Sequence, residues 1–199
     1  MPEALEPPTA AARVPRRERA DAARNRAQVL AAAEELFRRG DPTTVTMEDV
    51  ARAAGVGRAT LYRRYPDVPS IAVALLDRHE RELQRLLLSG EPPLGPGAPP
   101  ADRLAAFYRA MVELLERVGH LLRSAEGGSA RFGTGAYGFW CTHVRTLLTD
   151  AGVPRADQLA EVLLAPLAPE LYHRQRHDLH LTAEEIGDRL AWLAKRVIG

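Results

Sequence analysis

The sequence is poor in several residue types, and each shortage excludes a class of protein. It has a single cysteine, Cys141, so an internal disulfide and a multi-cysteine zinc site are excluded, which suits a reducing compartment. Aromatic residues make up only 6% of the 199 residues. The longest nearly uncharged stretch, Phe132 to Val144, is interrupted by glycines and falls short of the ~18 apolar residues that cross a bilayer. We therefore expect no membrane span.

The first twelve residues also lack the features of a secretory signal. They have neither a basic start nor an apolar run, and they contain Glu3, Glu6 and three prolines. This composition predicts a protein that stays in the cytoplasm.

Charge is distributed unevenly along the chain. Between Ala11 and Pro66, twelve arginines stand against seven acidic residues, whereas from Asp67 onward acidic residues are in slight excess. Lys195 is the only lysine. A basic N-terminal third predicts an anionic partner for that part of the chain and a different role for the remainder.

Helical periodicity dominates the sequence. Apolar residues recur at three- and four-residue spacing, while neither a period-two strand pattern nor a repeat of fixed length occurs. The pattern predicts an all-α fold of about nine helices. A loop is expected between Ser89 and Pro100, which include five prolines and three glycines.

The most informative segment runs from Met47 to Tyr65. Thr46 and Asp49 form a capping-box pattern that predicts the start of a short helix. Ala51 is small enough for two helices to cross, and Gly55 tolerates the positive φ of a tight turn. Apolar residues to lock the helices together are also present, namely Val50, Ala54, Val56 and Leu61. These features predict a helix-turn-helix whose second helix is narrow and polar enough to enter a DNA major groove.

This segment resembles the DNA-binding domain of the TetR family of transcriptional regulators. The likeness rests on TMEDVARAAGVGRATLYRRYPD and the preceding AAAEELFRRG, and it covers residues 21–66. Residues 1–20 are rich in Pro, Ala and Arg without apolar periodicity, so we expect a disordered Arg-rich arm there and a first helix that begins near Asp21. The resemblance implies a helix-turn-helix DNA-binding domain at 21–66 and a helical effector-binding and dimerisation domain at 67–199. It also implies a homodimeric repressor that a small-molecule effector releases from a palindromic double-stranded DNA operator. No cofactor or metal is expected, and no enzymatic activity, because neither a G-x-S-x-G nor an H-E-x-x-H motif occurs.

The resemblance implies roles for individual DNA-binding residues. Thr46, Tyr62 and Arg64 are expected to touch phosphates, and Arg58, Ala59, Thr60 and Arg63 to face bases. Arginine suits guanine, because its guanidinium can donate to both O6 and N7. Where many relatives have a lysine and an acidic residue after this helix, the chain has Val68-Pro69, so one phosphate contact is expected to be absent. The arginines of the arm either compensate for it or belong to a solvated tail.

The C-terminal predictions are of two kinds. An effector cavity needs apolar walls, and candidates for its lining are Phe107, Met111, Tyr137, Trp140 and Cys141. A dimer needs an apolar seam, and candidates for it on the last helix are Ile186, Leu190, Leu193 and Val197.

Several alternatives remain open at this stage. His173, His177 and His180 have a spacing compatible with a metal site, although a solvated helix end is the simpler interpretation. Gly133 to Gly138 reads G-x-G-x-x-G, but no strand precedes it, so we interpret it as a connection. A small helical enzyme, or a dimeric interaction module that has lost DNA binding, are the competing classes.

Overall fold

The computed structural model describes residues 16–39, 44–124 and 135–199, and in these ranges it contains nine α-helices and no strand. The all-α prediction is confirmed. No helix in the described ranges is long and apolar enough to cross a membrane. The helices are α1 Arg16–Arg39, α2 Met47–Ala54, α3 Arg58–Arg64, α4 Val68–Ser89, α5 Pro100–Ser124, α6 Gly135–Asp150, α7 Ala156–Leu164, α8 Pro169–His173 and α9 Ala183–Ile198.

The chain divides into two compact units, one ending at Val68 and one beginning at Pro69. The N-terminal unit has a small apolar core formed by α1, α2 and α3. Val50 of α2 and Leu61 of α3 are almost fully buried. The other buried apolar residues of this unit are Val29, Leu30, Ala33, Phe37, Met47, Ala51 and Tyr65.

Local sequence signals account for the turn between α2 and α3. The Thr46 hydroxyl accepts a hydrogen bond from the Asp49 amide, and the Asp49 side chain accepts one from the Thr46 amide, so the capping box is complete. Gly55 ends α2 in the left-handed conformation, with φ of 65°. A side chain there would be strained, because residues with a Cβ rarely adopt this conformation.

The C-terminal unit is organised around α5, whose most extensive contact is with α9. Two exposed ion pairs join these helices, Asp102 with Lys195 and Arg109 with Asp188. Their order shows that the two helices run antiparallel. Helices α6 and α8 also pack on α5, and α6 packs on α7.

Polar contacts hold the α7–α8 region to α5. The Tyr108 hydroxyl donates a buried 2.9 Å hydrogen bond to the Leu163 carbonyl. Glu116 accepts hydrogen bonds from the Tyr172 hydroxyl and from Arg176, which lowers the pKa of the Glu116 carboxyl. A 3₁₀ turn, Ala165–Leu167, separates α7 from α8.

The first helix begins earlier than predicted. The sequence pattern placed its start near Asp21, but α1 begins at Arg16, so residues 16–20 are helical and not part of an irregular arm. Arginine, glutamate and alanine are good helix formers, and extending an existing helix is favourable. The rest of the arm lies outside the described residues, as do residues 40–43 and the first two residues of the G-x-G-x-x-G stretch, Gly133 and Thr134.

The apolar stripe of α9 also differs from its predicted role. Ile186 and Leu190 are buried within the chain, in the helix that packs on α5, and are therefore covered without a second subunit. Leu193 and Val197 are only half-buried. A periodic apolar stripe shows that a face is covered but not what covers it.

Candidate functional site

Helix α3 exposes most of the residues predicted to contact DNA. Leu61 points into the core, and successive residues of a helix are about 100° apart, so Ala59 and Arg63 lie on the opposite side. Both are exposed, as are Arg58 and Tyr62. The exposed face therefore presents two arginines, a methyl group and a phenol, which are groups that can contact base edges and phosphates.

Thr60 and Arg64 occupy the flank of α3 that faces α1. Together with Arg63 they line a cleft of about 460 Å³ in the N-terminal unit. Its other wall includes Asn25 and Arg26 of α1. Thr60 is half-buried there, so it is less accessible than the remaining predicted base contacts.

Arg58 has a carboxylate partner in this structure. Its guanidinium lies 3.7 Å from the Glu48 carboxylate of α2, and both side chains are exposed. An exposed pair of this kind contributes about 1 kcal/mol or less, so it orients Arg58 without preventing another contact.

The hydroxyl of Thr46 forms two hydrogen bonds within the helix cap. It accepts from the Asp49 amide and donates to the Asp49 carboxylate at 2.6 Å. Hydrogen bonds from Thr46 hold the pKa of Asp49 below its ordinary value, so this carboxyl is charged. A phosphate contact by Thr46 stays a prediction, and it requires the hydroxyl to turn away from Asp49.

The predicted effector residues form part of the interior of the C-terminal unit. Phe107 of α5 and Trp140 of α6 are buried, with ring centroids 6.0 Å apart. His143, one turn after Trp140, brings its ring to 5.3 Å from Phe107. Met111 is buried on the same helix as Phe107.

Tyr137 and Cys141 lie one turn apart on α6 and are half-buried. Their side chains are hydrogen-bonded to each other, and burial raises the pKa of the Cys141 thiol. The thiol is therefore kept neutral, a state in which it is a weak nucleophile. Its role as part of an effector site stays a prediction.

The histidines of the α8 region do not form a ligand set. The rings of His173 and His177 approach to 4.3 Å, while His180 follows in a left-handed conformation, with φ of 54°. Within the described residues, no group of three or more His, Cys, Asp or Glu side chains is placed to hold a metal ion.

Two groups of polar residues in the structure were not predicted from the sequence. Asn25 and Arg26 line the α1–α3 cleft, and their spacing from the buried Val29 could have placed them on that side of α1. Arg103 and His143 lie in the C-terminal interior, where nothing in the local sequence links a residue of α5 to one of α6.

The fold and the α3 surface together define a helix-turn-helix protein with a separate helical C-terminal unit. Residues 29–67 match the family described as bacterial regulatory proteins, tetR family. An HTH-type transcriptional regulator of Mycobacterium tuberculosis is 39% identical over 61 residues, which are 31% of this chain and 30% of that protein. An HTH-type transcriptional regulator of Staphylococcus aureus is 23% identical over 88% of this chain and 94% of its own.

The fold of the whole chain is shared with solved structures of the same kind. A TetR-like transcriptional regulator from Rhodococcus superposes with a TM-score of 0.59 at 19% identity, covering 92% of this chain and 97% of that one. Residues 29–67 therefore carry a helix-turn-helix of the TetR type, and the whole chain has the fold of these solved regulators. Because the mycobacterial relatives match over only about 30% of their length, the likeness is strongest in the helix-turn-helix.

Proposed function

We propose that this chain is a sequence-specific DNA-binding transcriptional regulator, and that it acts in the cytoplasm as a repressor. The observation that carries the proposal is the exposed face of α3. Leu61 is only 1% exposed and holds the helix against the core. Arg58, Ala59 and Arg63 are exposed and accessible to a partner. A helix held this way can enter a major groove and read base edges.

The regulator is proposed to bind a palindromic operator as a homodimer. In a symmetric dimer, two copies of α3 read two half-sites about one helical turn of DNA apart. On α9, Leu193 and Val197 remain candidates for the subunit contact, since Ile186 and Leu190 are already covered within the chain. Sedimentation of wild type and of Leu193→Asp tests this part.

A small-molecule effector is proposed to release the operator. The effector lies among α4, α5 and α6, near Phe107 and Trp140, and its binding shifts α4. Since α4 follows directly on the helix-turn-helix, such a shift changes the spacing of the two recognition helices.

Selection of bound fragments from genomic DNA tests DNA recognition. Wild type is expected to recover one palindromic motif. Arg58→Ala and Arg63→Ala are each expected to relax one position of it, by about 1–3 kcal/mol of discrimination, whereas Tyr62→Phe weakens binding to all sequences alike. Arg38→Ala, which removes an exposed arginine that pairs with Glu35, is the matched control.

Two results would contradict this proposal. One is recovery of no motif by a folded dimer, which would favour an interaction module without DNA binding. The other is an equal loss on every sequence for Arg58→Ala and Arg63→Ala, which would assign both to phosphates. Repression is tested separately, by placing the recovered motif over a promoter and measuring whether the protein lowers or raises transcription.

A further inference from the structure

Two buried polar atoms at the junction of α5 and α6 have no hydrogen-bond partner within the described residues, His143 Nε2 and Arg103 Nε. Buried polar groups in native proteins are nearly always paired, so an unpaired atom calls for an explanation. A bound molecule that supplies the missing partner is one such explanation.

The two side chains face a common region. Arg103 lies one helical turn before Phe107, and the His143 ring is 5.3 Å from the Phe107 ring. The pKa of His143 is lowered to about 4, mainly by burial and further by the positive charge of Arg103. The imidazole is therefore neutral at pH 7, and Arg103 is close enough for its charge to act on it.

The positive charge of Arg103 has no carboxylate partner among the described residues. One of its terminal nitrogens donates a 3.3 Å hydrogen bond to the Leu87 carbonyl, in the last turn of α4. Among the residues that the structure describes, no carboxylate forms an ion pair with it. A partly buried cation without a counter-ion is costly, and it attracts an anion.

Aromatic side chains lie near the Arg103 guanidinium. Phe107 and Trp140 are buried with their rings 6.0 Å apart, and Phe139 packs edge-on against Trp140 at 5.3 Å. A molecule held by Arg103 would therefore have aromatic side chains beside it. This combination selects for a ligand with one anionic end and an apolar body.

We propose that the effector of this chain is an apolar organic acid, whose carboxylate is held by Arg103 and His143 and whose body lies against Phe107 and Trp140. The inference rests on the proposed function, because it names the effector of the same regulator. The Arg103 guanidinium also holds the Leu87 carbonyl, so carboxylate binding is coupled to the C-terminal turn of α4.

Acid–amide pairs of equal shape test the charge requirement. The probes are benzoic acid and benzamide, phenylacetic acid and phenylacetamide, and octanoic acid and octanamide. In a Trp192→Phe background Trp140 is the only tryptophan, and the replaced side chain is 60% exposed. At least one acid is expected to change Trp140 fluorescence and to bind about tenfold or more tightly than its amide, as expected for a hydrogen bond to a charged group.

Variants assign the effect to the two residues. Arg103→Gln and His143→Gln are each expected to weaken the acid about tenfold while leaving its amide unchanged. Arg117→Gln removes an exposed arginine from the same helix and serves as the control. Because a ligand site lacks its partner in the free protein, His143→Leu is expected to melt no lower than wild type at pH 7.5.

Four outcomes would overturn the proposal. In the binding assay, they are acids that bind no tighter than their amides, or no binding of any acid of the panel at millimolar concentration. In the variants, they are equal losses of acid and amide binding, or a marked fall in melting temperature for His143→Leu. The DNA-selection experiment shows whether the effector proposal or the DNA-binding proposal has failed. A protein that recovers an operator but ignores acids refutes only the effector class, whereas one that binds acids at Arg103 but recovers no motif refutes only the DNA-binding proposal.

Discussion

The two units of this protein differ in where their polar and charged side chains lie. In the helix-turn-helix unit, the buried residues are apolar and the charged residues of α3 lie outside. In the C-terminal unit, polar groups such as Tyr108, Arg103 and His143 reach into the interior. A surface that meets DNA can be built on an ordinary core, whereas a site that encloses a small molecule must bring polar atoms inside.

The largest expected effect comes from the core of the helix-turn-helix unit. Leu61→Ala removes a fully buried side chain that fixes α3, and should lower the free energy of unfolding by about 2–5 kcal/mol and abolish DNA binding. Urea denaturation followed by circular dichroism measures the change. Leu88→Ala, at a side chain that is 65% exposed, should stay within about 0.5 kcal/mol of wild type. Similar losses for both would show that α3 is not held by its core.

Acidification probes the polar interior of the C-terminal unit. The pKa of His143 is about 4 in the folded chain, whereas the ordinary value of histidine is 6.5. As the pH falls through this window, the unfolded chain binds a proton that the folded chain does not, so stability falls with pH. His143→Leu should therefore gain up to about 3 kcal/mol over wild type between pH 7.5 and pH 4. Parallel stability curves for the two proteins would contradict the burial of this imidazole.

The two capping boxes allow the same change to be made in each unit. The amide-to-hydroxyl distance is 3.2 Å for Asp49 and Thr46, and 3.1 Å for Glu185 and Thr182. Thr46→Ala and Thr182→Ala should each cost about 1 kcal/mol, while the corresponding serine variants keep the cap. Only Thr46→Ala is expected to weaken DNA binding, because it loosens the start of α2. Loss of DNA binding in Thr182→Ala alone would reverse this assignment.

The smallest effects come from removing one hydroxyl in each unit. The Tyr108 hydroxyl donates to the Leu163 carbonyl, so Tyr108→Phe leaves a buried acceptor unpaired and should cost about 1 kcal/mol. The Tyr65 hydroxyl is buried without a partner in the described residues, so Tyr65→Phe should leave the melting temperature unchanged or raise it. A loss for Tyr65→Phe equal to that for Tyr108→Phe would show that the Tyr65 hydroxyl is paired in solution.

The start of α2 and the turn that follows it were predicted from the sequence. Their signals are local: Thr46 and Asp49 are three residues apart, and Gly55 acts through its own backbone. The start of α1 was missed by five residues, because the Arg-rich segment has helix propensity but no apolar periodicity to reveal it.

The C-terminal site was predictable only in part. Phe107 and Trp140 were both among the predicted lining residues, and the structure places their ring centroids 6.0 Å apart. The effect of the Arg103 charge on His143 was not predictable, because forty residues separate them and only the packing of α5 against α6 brings them near each other.

Local sequence signals were sufficient for most of the helices, for the turn between α2 and α3 and for the likeness to the TetR family, because caps, glycines and apolar spacing act over a few residues. Only the tertiary structure decided what covers each apolar face. It buried Ile186 and Leu190 of the predicted dimer seam within the chain, in the helix that packs on α5. It also placed Arg103 and His143 beside Phe107, because burial and long-range charge depend on neighbours that no local pattern specifies.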